Sequence, residues 1–355
     1  GLAGRQIDKV VAGAVTTHSK DWNLAREAVL STSLSPLTPG ITMQQACGTS
    51  LQAALMAGAE IATGQIECAI VGGTDTTSDP PIVFQRRFAQ RLVKLGRAKS
   101  FKDKLAVFKG FSPAELAPQP PSNGEPRTGL SMGQHCERMA KEWQISRRDQ
   151  DELTLASHRN AAQAWNEGFF DDLVVEHAGV LRDNNIRPDS DMESLGKLKP
   201  AFDRSGNGTL TAGNSTTLTD GAAAVLLTSE DYAKKHDLPV TCYLTQGRTA
   251  AVDFVGDEGL LMAPTVAVAE MLQKAGLTLQ DFDFYEIHEA FAAQVLCTLK
   301  AWESEDYCRD RLGLDAPLGA IDRSKMNVKG SSVAVGHPFA ATGARIVSTL
   351  AKLLE

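Results

Sequence analysis

Three segments of this 355-residue chain contain side chains suited to covalent catalysis. Cys47 stands before a Gly-Thr-Ser turn and a run rich in Ala, Leu and Met. His337 lies between Gly336 and Pro338, and His288 follows an apolar run. A thiol with an imidazole to take its proton is one arrangement that forms an acyl-enzyme intermediate. These residue types predict nucleophilic chemistry centred on Cys47.

The residues after Cys47 predict a turn that enters a helix, so its thiol should lie beside a helix N-terminus. The free N–H groups and the positive end of the helix dipole favour a thiolate at that position. Burial is the usual fate of a free thiol, so a purely structural Cys47 is the alternative interpretation.

His337 is the expected partner of this thiol. A neutral imidazole near physiological pH can take the thiol proton and can also point an N–H group at a thioester oxygen. The small residues around His337 permit close approach of the backbone, so Gly336 is expected to help bind the substrate.

Alternating strands and helices are predicted to position these side chains. In the first half, short apolar runs predict strands at residues 7–15, 41–46 and 67–75, with an Ala-rich helix after Cys47. In the second half, the pattern predicts strands at 240–244, 284–287 and 331–335, between helices at 264–275, 290–302 and 343–354. This alternation is typical of α/β sheets covered by helices.

The segments around Cys47, at 288–292 and at 329–344 occur in the order and at about the spacing found in thiolases, which make or cleave 3-ketoacyl-CoA. The chain resembles that family over nearly its whole length. The resemblance implies an α/β protein with a five-layer α/β/α/β/α fold, made of duplicated core domains and an inserted loop domain. It assigns residues 1–80 and 214–236 to the N-terminal core, 81–213 to the loop domain and 237–355 to an incomplete C-terminal core.

The same resemblance implies roles for further residues. His288 would order a water for the oxyanion site, and a histidine there resembles the β-subunits of multifunctional fatty-acid oxidation complexes. Glu289 would orient that water or histidine, unless it is a buried carboxylate satisfied by other partners. Met132 would line the acyl and pantetheine tunnel, or else fill the core. Thr216 would contact the pantetheine arm of CoA, or else cap a turn.

The function implied is that of an acetyl-CoA C-acyltransferase, which cleaves 3-ketoacyl-CoA with CoA to acetyl-CoA and a shortened acyl-CoA in fatty-acid β-oxidation. Alternatives are biosynthetic formation of acetoacetyl-CoA and a non-catalytic lipid-binding or scaffold protein of the same fold. CoA enters as a substrate, and no cofactor is expected. The expected partners are further copies in a homodimer or tetramer and a hydratase/dehydrogenase α-subunit.

The composition argues against several other classes of protein. A net charge of −7 gives no general reason to expect nucleic acid, and no apolar run could span a bilayer. The six cysteines lack C-x-x-C pairs and zinc-ligand spacing, which argues against disulfides and a structural metal. We therefore expect a soluble protein in a reducing compartment. The cytoplasm is the first choice, with the mitochondrion as the alternative if a transit peptide precedes the sequence.

Residues 86–109 form a basic segment in an acidic protein. Nine Lys or Arg stand there against one acid, interleaved with large apolar residues that include Phe88, Leu92, Leu95, Phe101 and Leu105. The segment is a solvated face, a site for the phosphates of CoA, or a surface that docks on an anionic membrane. The recurrence of apolar residues near helical spacing favours weak, salt-sensitive membrane contact.

Both ends differ from the thiolase pattern. Thiolases continue past the position of Glu355 through two strands with a Cys-x-Gly-Gly motif, and they begin with a strand and helix that precede this sequence. We expect the sequence to be part of a longer protein, because loss of these strands would expose sheet edges and apolar surface. The alternative is loss of part of the catalytic apparatus.

Overall fold

The computed structural model describes residues 2–20 and 22–355. The strands are β1 Lys9–Gly13, β2 Gly40–Met43, β3 Cys68–Asp75, β4 Val83–Phe84, β5 Pro118–Gln119 and β6 Gly221–Thr228. The helices of the first part are α1 Leu24–Leu30, α2 Thr49–Ala62, α3 Arg86–Arg97, α4 Phe101–Val107, α5 Met132–Glu142, α6 Arg147–Asn166, α7 Met192–Gly196 and α8 Glu230–Lys235. Those of the second part are α9 Ala263–Ala275, α10 Ala292–Glu303, α11 Glu305–Asp310, α12 Ser332–Val335 and α13 Thr342–Leu354.

A four-stranded sheet in the order β2-β1-β3-β6 organises the first half. Strand β1 runs parallel to β2 and β3, while β6 runs antiparallel to β3. Successive residues of β1 point to opposite faces: Val10 packs with Val29 of α1, and Val11 packs with Ala53 of α2. Helices therefore cover both faces, and each fully buried Val contributes roughly 1.5–3 kcal/mol.

A second apolar core lies in the other half of the molecule. Helix α10 is buried along nearly its whole length and packs against α5, α6 and α9, with Met139, Leu153, Leu272, Leu296 and Trp302 in one cluster. Helices α5 and α6 come from the stretch between β3 and β6, so that stretch packs against the C-terminal half. By contrast, α3 and α4 bury no residue.

The strands predicted for the second half are wrong. Residues 331–335 contain α12 instead, because a short apolar run does not separate a buried strand from a buried helix. Residues 284–287 form one isolated bridge, between Tyr285 and Met326. Residues 240–244 are exposed, and 239–251 make no backbone hydrogen bond within the described part of the chain. A strand needs a neighbouring strand to satisfy its N–H and C=O groups, and this segment has none there.

The three strands predicted for the first half are confirmed, although each is shorter than predicted. The helix predicted after Cys47 is confirmed as well. β2 ends at Met43 rather than residue 46, because the chain turns sharply at Ala46, where φ is 45°. None of the helices in the described ranges, 2–20 and 22–355, is long and apolar enough to cross a membrane.

Candidate active site

The turn between β2 and α2 presents Cys47. Ala46 has a left-handed φ of 45°, which is strained for a residue with a Cβ and persists only where neighbours fix it. Thr49 supplies that constraint: its Oγ1 donates to the carbonyl of Ala46 at 2.7 Å and accepts from the N–H of Gln45 at 2.8 Å. Gly48 is the N-cap of α2, so Cys47 lies just before the helix, as the sequence predicts.

His337 lies on the loop between α12 and α13 and is buried. Its Nε2 lies 2.9 Å from Sγ of Cys47, and its Nδ1 lies 2.6 Å from Oγ1 of Thr342. Its backbone N–H donates to the carbonyl of Thr217 at 2.9 Å. The structure therefore brings together a thiol and an imidazole that are 290 residues apart in the sequence.

Two residues of the first half hold the His337 loop against the sheet. Asp75, at the end of β3, accepts hydrogen bonds from both Thr16 and the N–H of Ala340, the latter at 2.9 Å. Ser50, in the first turn of α2, accepts from the N–H of Ala344 at 2.8 Å. Sequence reasoning missed both residues. A carboxylate that directly ends a buried apolar strand is the signal that could have indicated Asp75.

His288 lies beside His337, with ring centroids 4.2 Å apart. Its Nδ1 lies 2.6 Å from Oγ of Ser332, which also accepts from the guanidinium of Arg345 at 2.9 Å. Arginine has only donors, so the hydroxyl of Ser332 remains free to donate to Nδ1 of His288. The hydroxyl can equally accept from Nδ1 of His288 with its second lone pair, so this bond fits either neutral tautomer; Nε2 of His288 is buried and has no hydrogen-bond partner among the described residues.

Burial sets the protonation of the Cys47–His337 pair. Cys47 keeps some surface exposure, yet burial raises its pKa to about 11, helped by the negative charge of Asp75 and opposed by a backbone hydrogen bond. Burial also lowers the pKa of His337 to about 4, with a contribution from the charge of Arg345. The resting pair is thus a neutral thiol and a neutral imidazole. Burial therefore opposes the resting thiolate that the helix N-terminus favours.

His288 is also neutral, because burial lowers its pKa well below the ordinary value and the charge of Arg345 adds to this. A neutral imidazole with a proton on Nε2 is a hydrogen-bond donor toward the space beside Cys47. Such a donor suits either a substrate oxygen or a water that itself contacts the substrate.

Glu289 is fully buried and satisfied by three hydrogen bonds. Its carboxylate accepts from Oγ of Ser157 at 2.7 Å, from Nδ2 of Asn327 at 2.7 Å and from the N–H of Val333 at 3.2 Å. It makes no hydrogen bond to His288 in the described residues. The geometry matches the alternative interpretation of a satisfied carboxylate, which binds residues on both sides of Ser332.

The remaining predicted residues lie around this centre in different environments. Thr216 donates its hydroxyl to the carbonyl of Ser332 at 2.6 Å, and its backbone N–H donates to Ala290. Gly336 has φ of 96°, a left-handed value that favours glycine, and a Cβ there would collide with Thr219. Met132 begins α5 and is 40% exposed, so it does not fill the core. Their contacts with substrate stay predictions.

The donor atoms of Cys47, His288 and His337 all lie within 4.8 Å of one another. One thiol, one imidazole placed as its base and one imidazole N–H donor are the groups that acyl transfer between thiols requires. The same three atoms also offer the ligand types that soft divalent metals prefer.

Two family models match the chain. The model described as the thiolase N-terminal domain matches residues 1–231, and the one described as the thiolase C-terminal domain matches residues 239–355. A 3-ketoacyl-CoA thiolase of Yersinia pestis is 43% identical over 354 residues, which cover 98% of this chain and 80% of the relative. A 3-ketoacyl-CoA thiolase of Yersinia pseudotuberculosis matches with the same identity and coverage.

Solved structures extend the comparison. An acetyl-CoA acetyltransferase from Bacillus anthracis is 32% identical with a TM-score of 0.75, over 98% of this chain and 81% of that one. A human mitochondrial 3-ketoacyl-CoA thiolase in complex with CoA is 28% identical with a TM-score of 0.77, over 98% of this chain and 80% of that one. The α/β fold class predicted from the sequence is confirmed by these structures.

Proposed function

Since the chain belongs to the thiolase family, we propose that it cleaves 3-ketoacyl-CoA with CoA to acetyl-CoA and a shortened acyl-CoA through an acyl group on Cys47. The observation that carries this proposal is the 2.9 Å contact between Sγ of Cys47 and Nε2 of His337. The names of the two Yersinia relatives, both 3-ketoacyl-CoA thiolases, support the substrate class. CoA acts as a substrate in this scheme, and no resident cofactor takes part.

The neutral resting pair supports a concerted first step. Nε2 of His337 takes the thiol proton as Sγ of Cys47 attacks the 3-keto carbon, and the proton on Nδ1 is held by Thr342. The bond between the second and third carbons then breaks. The acyl group stays on Cys47. The acetyl carbon gains one proton, which balances the proton that the thiol lost. The thiol of CoA then takes the acyl group and restores Cys47.

Stabilisation of negative oxygen falls to the imidazoles. The proposed donors are the Nε2–H of His288, directly or through a water, and the Nε2–H that His337 gains; both rings have a nitrogen within 4.8 Å of the thiol sulfur. A single such donor is worth about a hundredfold to a thousandfold in rate. Thr216, Gly336 and Met132 are proposed to contact the pantetheine and acyl parts of the substrate, and Glu289 to keep the neighbouring backbone in place.

Turnover on ketoacyl-CoA substrates of different length tests the function. We expect thiolysis, with a higher kcat/KM for long-chain 3-ketoacyl-CoA than for acetoacetyl-CoA. Activity confined to condensation of acetyl-CoA would favour the biosynthetic alternative. Lipid binding with neither turnover nor acylation of Cys47 would favour the scaffold alternative.

Membrane contact through residues 86–109 is a second proposal, and the exposure of α3 and α4 favours it. Phe101 is 77% exposed, Leu105 is 61% exposed and Val93 is 55% exposed, beside exposed lysines. Arg91 does not belong to this surface: it forms an ion pair with Glu115 and donates to carbonyl groups of residues 107–110. It ties α3 to the following loop.

Charge reversal at free lysines therefore tests membrane docking better than reversal at Arg91. Each cation near an anionic surface is worth about 1 kcal/mol, so Lys94→Glu with Lys102→Glu should weaken binding to anionic vesicles tenfold or more. Lys197→Glu with Lys234→Glu makes the same change in net charge on other exposed surface and is the control. Equal co-sedimentation of both double variants, or none for the original chain at low salt, rules out docking. A raised KM for CoA in the first variant alone, without vesicle binding, favours the CoA-phosphate alternative.

Association of copies is proposed through the edge of the sheet at β2. This strand has no neighbour on its outer side within the described residues, and Ile41 on it is 38% exposed. Exposed edges favour pairing with another chain, and a lysine there opposes it. Ile41→Lys should shift the sedimentation of a homodimer or tetramer toward monomer.

A hydratase/dehydrogenase α-subunit remains a proposed partner. The cytoplasm remains the proposed compartment because all six cysteines are free thiols.

A further inference from the structure

The cluster of Cys47, His288 and His337 has the composition of a metal site as well as of a catalytic one. Sγ of Cys47 and one ring nitrogen of each histidine lie within 4.8 Å of one another. Three protein ligands with an open fourth position are typical of reactive zinc sites, and thiolate with imidazole suits Zn²⁺ and related soft divalent ions. The ligands come from three distant segments, so the spacing of the sequence could not indicate the site.

The surroundings of both imidazoles are those of metal-binding histidines. Nδ1 of His288 lies 2.6 Å from the hydroxyl of Ser332, and Nδ1 of His337 lies 2.6 Å from the hydroxyl of Thr342. Metal-ligating histidines almost always hold their other ring nitrogen in such a hydrogen bond. Nε2 of His337 contacts the thiol, and Nε2 of His288 is buried without a hydrogen-bond partner in the described chain.

We propose that Cys47, His288 and His337 bind one divalent transition-metal ion, Zn²⁺ in the first instance, and that this ion inhibits the chain by occupying its nucleophile and its base. Zn–S and Zn–N distances of about 2.3 and 2.0–2.1 Å require Sγ and Nε2 of His337 to move from 2.9 Å to roughly 3.5 Å apart. A water or a substrate thiol completes the tetrahedron.

Protons and charge balance in this step. Cys47 releases its thiol proton to solvent as the S–metal bond forms. Metal binding through Nε2 requires the ring proton of each histidine to be on Nδ1, where His337 donates to Thr342 and His288 donates to Ser332. Oγ of Ser332 then accepts from His288 and Arg345 with its two lone pairs. The charge of Arg345, which lies near the carboxyls of Glu286, Glu289 and Asp183, opposes the bound cation.

Metal binding is measured without turnover, so a negative result would leave the proposed thiolysis unaffected. The chain, freed of metal by a chelator, is titrated with Co²⁺ as the probe, and absorption is followed. We expect about one Co²⁺ per chain, a thiolate-to-cobalt charge-transfer band, tetrahedral d–d bands and displacement of the cobalt by Zn²⁺.

Variants assign the band to its ligands. Cys47→Ala should abolish the charge-transfer band, and Cys242→Ala, which removes the exposed thiol, should retain it. Losing an outer hydrogen-bond partner typically costs a metal site about 10–100-fold in affinity. We therefore expect a loss in that range for Ser332→Ala and at least as large a loss for His288→Asn, in samples whose circular dichroism matches the original chain.

Protection of the thiol gives a second measurement on the unaltered chain. Zn²⁺ should block alkylation of Cys47 by iodoacetamide, as followed by peptide mass spectrometry, while Cys242 continues to react. Absence of both the cobalt band and this protection overturns the proposal. A band that survives Cys47→Ala and His288→Asn, or that disappears with Cys242→Ala, also overturns it.

Discussion

The half of the molecule that carries Cys47 and the half that carries both histidines are built in different ways. Cys47 lies where β2 turns into α2, in a unit of local contacts supported by a four-stranded sheet. His288 and His337 lie on loops beside short helices, in a stretch whose described residues, 237–355, contain no strand.

This difference means that the two halves position their side chains by different means. The thiol is placed by a turn whose hydrogen bonds join residues at most four apart. The imidazole of His337 is placed by bonds that reach into the other half, through Thr217, Asp75 and Ser50. The catalytic geometry therefore depends on the contact between halves more than on either half alone.

The largest effect is expected from His337, the residue that joins the halves chemically. His337→Ala should lower kcat by about a hundredfold or more, the usual scale for a lost general base or oxyanion donor. It should also slow alkylation of Cys47 by iodoacetamide near neutral pH. Unchanged turnover and alkylation in this variant would remove His337 from the mechanism.

Substitution of one valine in each half compares how tightly the predicted strands of the two halves are packed. Val71 in β3 is fully buried, whereas Val240 in the extended segment is 49% exposed. Val71→Ala should cost about 2–3 kcal/mol of unfolding free energy, because it removes two methyl groups from a packed core. Val240→Ala should stay within about 0.5 kcal/mol. Urea unfolding of the chain measures both, and equal costs would show that residues 240–244 are packed as a strand.

Asp75 tests the tether between the halves. In the unaltered chain, the N–H groups of Val15, Thr16 and Ala340 all donate to the Asp75 carboxylate. Asp75→Asn puts an N–H₂ donor in place of one carboxylate oxygen, so one or more of these N–H groups loses its acceptor. We expect a loss of about 1–3 kcal/mol in unfolding free energy and a lower kcat. Asp79→Asn, at a carboxylate that is 79% exposed, is the matched control. Equal stability and activity of the two variants would mean that the Asp75 bonds do not hold the His337 loop.

A smaller effect is expected from pH, at the helix that supports the histidine-bearing half. Burial, helped by the charge of Arg187, lowers the pKa of His158 in α6 to about 4. His158 therefore binds a proton near pH 6.5 in the unfolded chain, but only near pH 4 in the folded chain. The contribution of His158 is complete above pH 6.5, and stability falls by on the order of 1–3 kcal/mol as the pH drops from 6.5 to 4.

His158→Asn tests this pH dependence. The amide oxygen can still accept from the N–H of Arg187, as Nδ1 of His158 does at 3.1 Å, but it does not titrate in this range. The urea midpoint of the variant should fall less between pH 7 and 4.5 than that of the unaltered chain. His177→Asn, at an exposed histidine, should leave the slope unchanged. A slope that is the same in all three chains would contradict the assignment.

The sequence predicts the first half well because its signals are local. An apolar run, a sharp turn and an Ala-rich helix around Cys47 lie within about twenty residues, and the structure follows them. The strands predicted at 240–244, 284–287 and 331–335 were wrong, because strand formation depends on a partner strand that periodicity does not show. Asp75 and Ser50 were missed for a related reason: their roles depend on residues more than 200 positions away.

Two opposing effects, the helix N-terminus and burial, act on the charge of the Cys47 thiol, and their sizes differ. A helix N-terminus is worth about 0.3–1 kcal/mol to a nearby anion. Burial raises the pKa of Cys47 from 9.0 to about 11, a change on the order of 2–3 kcal/mol. The sequence shows the helix start but not how closely the other half packs over the thiol. The motif therefore identifies the nucleophile and does not predict its resting charge.

The most direct test of the central claim is the position of the acyl group. The chain is incubated with 3-ketoacyl-CoA in the absence of free CoA, digested, and its peptides are mapped by mass spectrometry, with Cys47→Ser in parallel. We expect an added acyl mass on the peptide that contains Cys47, absent from Cys47→Ser and discharged by adding CoA. An acyl group on another residue, or an unmodified Cys47 in chain that turns over the substrate, would contradict it.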